Sequence, residues 1–372
     1  MPISSGFGSR LFLTGALAFV VTGMLSALFG LVLPIYDQRF GLGENGGTLL
    51  LSIYGLGAFM TVVAGLFNAQ LLTLRGGLAA LALGIGLMAL QISWPMILLG
   101  GGLAGVGFGM VAVEVNRQFL ADFAERGPGM VAVVNAVFGL GSIISPFLFT
   151  WAGGGVGLVF AGIALLAVVV VPMVLPDKRA GQRPTGINLA PPNLRQWPLL
   201  ILAFNSLSAV VEVGLIGLGP SALLAAGLDT VSVAHLMSAY ALFFLLGRLG
   251  LYWLTRIFAI DLLFLIALTG SGLALGIAAA GWPSLGFVLS GAFTALYFPT
   301  FYVWAIGVLG DARMGSAILC SGLAMVSICP VALGLILDQI GLGQLFILLG
   351  GLGLALAAAF VPTLFWARRI RP

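Results

Sequence analysis

The segment PDKRAGQRPTGINLAPPNLRQWP, residues 176–198, is the only long polar stretch of the sequence. On both sides of it the chain is almost continuously apolar, and of its 372 residues 61% are hydrophobic and only 7% are charged. A water-soluble domain carries about a quarter charged residues. The apolar stretches run for about 20 to 25 residues, the length that a helix needs to cross roughly 30 Å of hydrocarbon. We therefore predict an integral membrane protein that the polar segment divides into two halves.

Proline, glycine and charged clusters break each half into six predicted spans. The predicted fold is all-α, with twelve transmembrane helices in two pseudo-symmetric six-helix bundles. The N-terminal bundle occupies 1–176, a cytoplasmic linker 177–196 and the C-terminal bundle 197–372. The predicted spans are 11–35, 46–73, 77–94, 96–120, 129–150, 155–175, 197–222, 231–255, 260–281, 284–309, 314–337 and 341–366.

Basic residues set the predicted orientation. If the spans alternate in direction, the basic residues gather on one side of the membrane, and only Arg39 falls on the other. The positive-inside rule makes the basic side cytoplasmic, together with both termini. We therefore predict a multi-pass protein of the cytoplasmic (inner) membrane, and the net charge of +4 calls for no nucleic-acid partner. The residues on the basic side are Arg10, Arg75, Arg126, Lys178, Arg179, Arg183, Arg195, Arg256, Arg313, Arg368, Arg369 and Arg371.

The sparse histidine and cysteine content argues against catalysis. With one histidine and two cysteines, the sequence supports neither a metal site nor a nucleophile–base pair, so we predict no enzyme activity and no cofactor. Cys320 and Cys329 lie nine residues apart on one predicted helix. That spacing corresponds to about 13 Å of rise, beyond the limit of about 7 Å between the Cα atoms of a disulfide.

The two halves repeat each other at an offset of 186 residues. Matching prolines end the first and seventh predicted spans, and matching glycines lie in the fourth and tenth and open the fifth and eleventh. Two repeated six-helix bundles in one chain are the layout of secondary transporters that move around a site at the membrane midplane. The matching pairs are Pro34 and Pro220, Gly105 and Gly291, and Gly129 and Gly315.

Several segments resemble the fucose and hexose proton symporters of the major facilitator superfamily. The most specific, YFPTFYVWAIGVLGDARMGSAILCSGLAMVSICPVALGLILDQIG at 297–341, resembles their helices 10 and 11. The resemblance implies a monomeric alternating-access transporter that takes up a sugar or similar polyhydroxylated solute together with protons. The other segments are EVGLIG (212–217) and LFFLLGRLGLYWLTRI (242–257), which are similar to helices 7 and 8, and GVGFGMVAVEVNRQF (105–119) and NAVFGLGSIISP (135–146), which are similar to helices 4 and 5.

The sequence also departs from that family. The polar pair that family members carry in helix 1 aligns with Phe29 and Gly30, and the acid of helix 4 in the fucose carriers aligns with Ala112. The superfamily's aspartate between helices 2 and 3 is missing from LTLRGG, 72–77. The expected positions of a proton-coupling acid are therefore neutral.

Glu212 is the strongest candidate for proton coupling, because ionisable groups inside a membrane usually mark pathways. Asn205 and Ser208 share its helix face, and the 186-residue offset places Thr22 and Ser26 on the matching face of the first span. We expect these four polar residues to bind substrate in a cavity between the halves. The alternative for Glu212 is an acid that hydrogen bonds to neighbouring helices keep neutral.

Glu114 is a second candidate acid, but Arg117 lies three residues later on the same helix. We expect Glu114 to pair with Arg117 or with Arg248, in a structural or gating role rather than in coupling. Arg248 has another interpretation, because superfamily carriers of small carboxylates place an arginine in helix 8. The alternative functions are therefore a carboxylate or drug exporter, or a facilitator without proton coupling.

Further substrate-binding candidates are amides and aromatic rings. Asn116 and Asn135 can donate to and accept from hydroxyl groups, and Asn135 lies where the family has an amide near the sugar. Tyr297, Phe301 and Trp304 share a helix face whose rings could pack on the C–H faces of a sugar. The alternatives are interhelical hydrogen bonds for the amides and packing or lipid contacts for the rings.

Overall fold

The computed structural model describes residues 5–43, 46–67, 72–123, 127–175, 197–309 and 314–370. These residues form helices without any strand, which confirms the predicted all-α class. The predicted linker, 177–196, lies outside the described residues. The helices are α1 (Ser5–Phe40), α2 (Thr48–Phe67), α3 (Leu74–Ala89), α4 (Trp94–Asp122), α5 (Gly127–Trp151), α6 (Val156–Val170), α7 (Trp197–Ala225), α8 (Thr230–Ile257), α9 (Ile260–Ala279), α10 (Pro283–Thr294), α11 (Tyr297–Leu309), α12 (Met314–Ile340) and α13 (Leu345–Ile370).

The helices fall into two compact units, the first built from α1–α6 and the second from α7–α13. Eleven stretches of the described residues are long and apolar enough to cross a membrane, with α10 and α11 together forming one of them. The apolar helix α3 is shorter, at 16 residues. Together they correspond to the twelve predicted spans of a multi-pass membrane protein.

Several helices begin where the sequence supplies a cap. The Thr73 hydroxyl accepts a hydrogen bond from the Gly76 N–H at the start of α3. Asp229 caps α8, where its carboxylate accepts hydrogen bonds from the Ser232 hydroxyl and from the N–H groups of Ser232 and Val231. The bonds from Ser232 hold the pKa of Asp229 below its usual range. Pro283 opens α10, a position at which a missing N–H costs nothing.

A close approach of two helices recurs in both units. In the first unit a Cβ atom on Gly105 of α4 would collide with the Tyr54 carbonyl oxygen of α2. In the second unit a Cβ on Gly291 of α10 would lie 2.6 Å from the Tyr240 carbonyl oxygen of α8. Tyr54 and Tyr240 are 186 residues apart, as are the two glycines. The sequence repeat is therefore also a repeat of the same tyrosine–glycine contact.

The tenth span is not one continuous helix. Its first part, α10, ends at Thr294, and α11 begins at Tyr297. The Leu296 N–H donates to the Phe293 carbonyl at 3.0 Å, a tight turn in place of a regular helical bond. Pro299 explains the interruption, because its ring clashes with the carbonyl four residues earlier, that of Ala295. The predicted span 284–309 is therefore two helices with a break at residues 295–296.

Arginines hold two ends of the first unit. The Arg75 Nη2 donates to the Val174 carbonyl at 2.8 Å, just beyond α6. The Arg39 Nη2 donates to the Gln91 carbonyl at 2.9 Å, and the Gln91 side chain donates to the Tyr36 hydroxyl at 2.8 Å. Gln91 has a φ of +53°, a left-handed conformation that these bonds hold in place. The end of α1 is thereby fastened to the turn between α3 and α4.

Candidate functional site

Glu212 lies near the middle of α7, partly buried within the second unit. Its charge interacts with Arg248 and Tyr240 on α8 and with Tyr297 on α11. Its carboxylate receives no hydrogen bond from any residue that the structure describes. An ionisable group in an apolar span raises the free energy of the folded protein unless it has polar neighbours. Here the neighbours of the carboxylate are the Arg248 guanidinium and the hydroxyl groups of two tyrosines. The polar cluster comprises Glu212, Tyr240, Arg248, Ser271, Thr294 and Tyr297.

Arg248 is the positive member of the polar cluster. Its guanidinium lies over the Phe244 ring, 4.7 Å from the ring centroid. Its Nε is buried without a partner, and no side chain or carbonyl in the described ranges accepts a hydrogen bond from the guanidinium. Glu212 attracts it electrostatically, but their charged atoms do not come within salt-bridge distance. A guanidinium carries five N–H donors, so the cluster offers several donors for which no described residue provides an acceptor.

Two hydroxyl pairs lie on either side of the break in the tenth span. The Tyr240 hydroxyl bonds the Thr294 hydroxyl at 3.0 Å, and Thr294 is the last residue of α10. The Tyr297 hydroxyl bonds the Ser271 hydroxyl of α9, and Tyr297 is the first residue of α11. The Tyr240 ring also stacks on Phe287 with centroids 4.9 Å apart. The break is therefore held at both edges by members of the polar cluster.

Asn205 and Ser208 do not join Glu212 in the polar cluster. The Asn205 amide is buried, and its Nδ2 donates to the Ile318 carbonyl at 2.7 Å and to the Ser321 hydroxyl at 3.0 Å, both on α12. The Ser208 hydroxyl is also buried and donates to the Asn205 carbonyl. Asn205 therefore joins α7 to α12, and Ser208 forms a hydrogen bond within α7. Their role in substrate binding stays a prediction.

Of the three aromatic candidates, one belongs to the polar cluster and two do not. Tyr297 belongs to the polar cluster, whereas Phe301 and Trp304 are buried in the core of the second unit. The Phe301 ring lies 4.9 Å from that of Phe264, and the Trp304 ring lies 4.8 Å from that of Phe360. These edge and tilted contacts stabilise packing between α11, α9 and α13. Both rings are occupied by neighbours of the same unit.

The candidates of the first unit form local hydrogen bonds. The Thr22 hydroxyl donates to the Phe19 carbonyl at 3.0 Å, and the Ser26 hydroxyl donates to the Thr22 carbonyl at 2.9 Å. The Asn135 Nδ2 donates to the Asn116 Oδ1 at 3.3 Å and to a carbonyl of its own helix. This amide pair joins α4 to α5. The bond between them uses only the Asn135 Nδ2 and the Asn116 Oδ1, not the Asn135 Oδ1 or the Asn116 Nδ2. These four residues remain predicted substrate contacts.

Glu114 forms an ion pair with Arg117, the first of its two predicted partners. The Arg117 Nη2 lies 2.9 Å from the Glu114 Oε2, and the Arg117 Nε donates to the other carboxylate oxygen at 3.2 Å. Glu114 is 1% exposed and Arg117 30% exposed. The Gln118 amide adds a donor at 3.3 Å. The acid of α4 is therefore satisfied within its own helix, unlike Glu212.

We expect Glu114→Ala to lower the free energy of unfolding by about 1–3 kcal/mol. The usual cost of breaking a buried pair is higher, but Arg117 is partly exposed and can turn toward water. Thermal unfolding of the purified protein measures the effect, with Glu114→Gln as the control that keeps the side-chain length and one acceptor oxygen but loses the charge. Unchanged stability together with lost transport would show that the pair serves coupling rather than structure.

Tyr240 and Ser271 were not among the predicted site residues. Tyr240 lies eight residues before Arg248, on the same face of α8, so the spacing was a usable signal. Its counterpart Tyr54 at the 186-residue offset was a second one. Ser271 gave no signal, because a lone serine in an apolar span is common. The described residues include no group of three or more histidine, cysteine or acidic side chains that could hold a metal.

Solved structures match the chain over nearly its whole length, although no protein-family model and no curated protein matches it. A POT family transporter in complex with a thioalcohol-conjugated peptide has a TM-score of 0.78 at 15% identity, covering 98% of this chain and 97% of that one. A D-xylose-proton symporter has a TM-score of 0.75 at 13% identity, covering 94% and 96%. The E. coli fucose:proton symporter FucP has a TM-score of 0.59 at 16% identity, covering 94% and 98%.

These similarities establish the fold. FucP is described as a Major Facilitator Superfamily transporter, and the chain has the same arrangement of helices. The protein therefore has the major facilitator fold, which is the fold that the sequence resemblance implied. At identities of 13–16% the substrates of these neighbours remain properties of the neighbours.

Proposed function

We propose that the protein is a secondary transporter that works by alternating access and moves a small hydroxylated solute together with protons. The observation that carries the proposal is the polar cluster. Glu212 and Arg248 lie inside apolar helices of one unit, and neither side chain forms a hydrogen bond with any residue that the structure describes. Ionisable groups in this situation cost several kcal/mol, and they mark substrate or ion pathways. The fold supports the same function, because two of the solved neighbours are proton symporters.

Four members of the polar cluster have a role in the proposal. Glu212 carries the proton, because among the acids that the structure describes it is the one without a hydrogen-bonding partner. Arg248 holds the ionised carboxylate in place electrostatically when no solute is bound. Tyr240 and Thr294 present hydroxyl groups that can exchange their mutual hydrogen bond for bonds to the solute. The Glu114–Arg117 pair stays structural.

Proton coupling supplies enough energy for uptake. One proton that crosses 100 mV releases about 2.3 kcal/mol. At about 1.4 kcal/mol per tenfold change, this supports roughly fifty-fold accumulation of a neutral solute. The orientation follows from the basic residues: we propose that both termini are cytoplasmic, in an inner membrane. The resemblance to sugar symporters favours a sugar-like solute and a monomeric carrier.

Reconstituted protein tests the proposal. Proteoliposomes preloaded with one unlabelled solute at a time are diluted into the same solute in labelled form. A transporter gives a transient uptake of label above the equilibrium level, and we expect it with at least one hydroxylated solute from a panel of hexoses, pentoses and sugar acids. Protein-free liposomes are the control. If no member of the panel exchanges, the proposed function is wrong.

A further inference from the structure

We propose that the hydroxyl groups of Tyr54 and Ser26 form a binding site in the first unit for one uncharged hydroxyl group of the transported solute. The inference rests on the proposed function, and it assigns to α2 a solute contact that was not among the predicted ones. Three observations carry it. The Tyr54 hydroxyl has no partner, its ring is held in place, and its surroundings suit a neutral ligand group.

The first observation is the unpartnered hydroxyl of Tyr54. The side chain is 6% exposed, and its hydroxyl is buried without a hydrogen bond to any described residue. Buried polar groups without a partner destabilise a folded protein, and native structures keep few of them. The equivalent residue of the second unit, Tyr240, bonds the Thr294 hydroxyl at 3.0 Å. At the 186-residue offset Thr294 corresponds to Phe108, whose ring offers no oxygen to accept such a bond.

The second observation is that the Tyr54 side chain is held by its neighbours. Its ring centroid lies 4.9 Å from that of Phe29 on α1 and 5.6 Å from that of Phe108 on α4. The Tyr54 carbonyl lies so close to Gly105 of α4 that a Cβ atom would not fit between them. The hydroxyl is therefore a donor in a fixed position, and a ligand that binds it pays little for ordering the side chain.

The third observation is the set of groups around the hydroxyl. Ser26 lies one turn before Phe29 on α1, so it shares the face that contacts Tyr54. The two hydroxyl groups interact but do not form a hydrogen bond. The Ser26 hydroxyl donates to the Thr22 carbonyl at 2.9 Å, which leaves its oxygen to act as an acceptor. Ser26 and Phe108 are both partly exposed, so the site can be reached.

These groups match a hydroxyl group of the solute. A hydroxyl can accept from Tyr54 and donate to Ser26 at the same time, whereas a carbonyl oxygen can only accept. The Phe108 ring can pack on the C–H groups beside that hydroxyl. A charged group would have no counter-ion on α2, which carries no acidic or basic residue and has Val62 at the position equivalent to Arg248.

Tyr54→Phe separates binding from structure, because it removes only the hydroxyl group. We expect the ligand-free variant to melt at the wild-type temperature or about 1–2 °C above it, since an unsatisfied buried group is lost. Tyr240→Phe breaks the bond to Thr294 and should instead lower the melting temperature. If Tyr54→Phe lowers it as much as Tyr240→Phe does, the hydroxyl has a structural partner such as a buried water, and the inference is wrong.

Binding is measured as the concentration-dependent thermal stabilisation of the purified protein by D-glucose, D-galactose and D-xylose, each beside its monodeoxy analogues. We expect the wild type to bind at least one of these sugars, and to bind one of its analogues about tenfold more weakly. Tyr54→Phe should bind that sugar and that analogue equally, because the protein and ligand hydroxyls act as a pair. Ser26→Ala should reduce the preference in the same way.

Two matched controls should keep the preference for the complete sugar. Tyr252→Phe removes the hydroxyl of an exposed tyrosine on α8. Ser327→Ala removes a partly buried serine of α12 that, like Ser26, donates to the carbonyl four residues before it.

The outcomes distinguish this inference from the proposed function. Equal affinity of the wild type for each sugar and all its analogues overturns the inference, as does a Tyr54→Phe variant that keeps the wild-type preference. If the wild type binds none of the three sugars, the inference also fails, while the transporter stands as long as another solute exchanges in counterflow. If no solute exchanges at all, the proposed function itself fails.

Discussion

Proteoliposomes that contain the Glu212→Gln variant are expected to lose proton-driven accumulation entirely while retaining exchange of the solute. A pH gradient of one unit corresponds to about 1.4 kcal/mol, so the wild type should concentrate its solute about tenfold. Glutamine has nearly the same shape as protonated glutamic acid but cannot release a proton. The variant should therefore equilibrate the solute across the membrane and stop there. Accumulation and counterflow of the same labelled solute measure the two activities.

The matched control is Asp261→Asn, which removes a half-buried acid in the first turn of α9, outside the polar cluster. It should accumulate solute like the wild type. If Glu212→Gln still concentrates the solute tenfold under the pH gradient, Glu212 does not carry the proton. If the variant loses exchange as well, the carboxylate is needed for binding and the coupling role is unsupported.

Gly105→Ala is expected to destabilise the first unit by about 1–3 kcal/mol or more, although alanine is the better helix former. The added methyl group would collide with the carbonyl oxygen of Tyr54, which belongs to the backbone of α2 and cannot rotate away. The helices α2 and α4 would have to separate, and the packing around them would loosen. Thermal unfolding of the detergent-solubilised protein measures the loss.

Gly86→Ala is the control for that experiment, because Gly86 is also in a helix of the first unit and a Cβ there would meet nothing within 4 Å. It should leave stability unchanged or raise it by up to about 1 kcal/mol. Equal effects of the two substitutions would mean that α2 and α4 do not approach as closely as the structure shows. Gly291→Ala should repeat the loss in the second unit.

The helices could be predicted from the sequence because span length and hydrophobicity are local properties. The polar segment 176–198 divided the chain, and the twelve spans followed from its apolar stretches. Pro299 interrupts the tenth span by acting on the carbonyl four residues before it. The break consequently lies at residues 295–296 rather than at the proline, and it divides the predicted span into α10 and α11.

The site was harder to predict because a sequence gives the face of a helix but not the neighbour that the face meets. Asn205 shares a face with Glu212, yet its amide turns to the carbonyl of Ile318 on α12. Phe301 lies one turn after Tyr297 and is nevertheless enclosed by phenylalanines of its own unit. Glu114 was easier, since its partner Arg117 is three residues away and the spacing alone brings them together.

The tyrosine–glycine contact that recurs in both units identifies equivalent positions at which the two units carry different side chains. Where the second unit has Glu212, Arg248 and Thr294, the first has Ser26, Val62 and Phe108. The ionisable pair therefore belongs to the second unit, and at these positions the first unit is uncharged, so exchanging residues between equivalent positions would test whether the first unit can host the same chemistry.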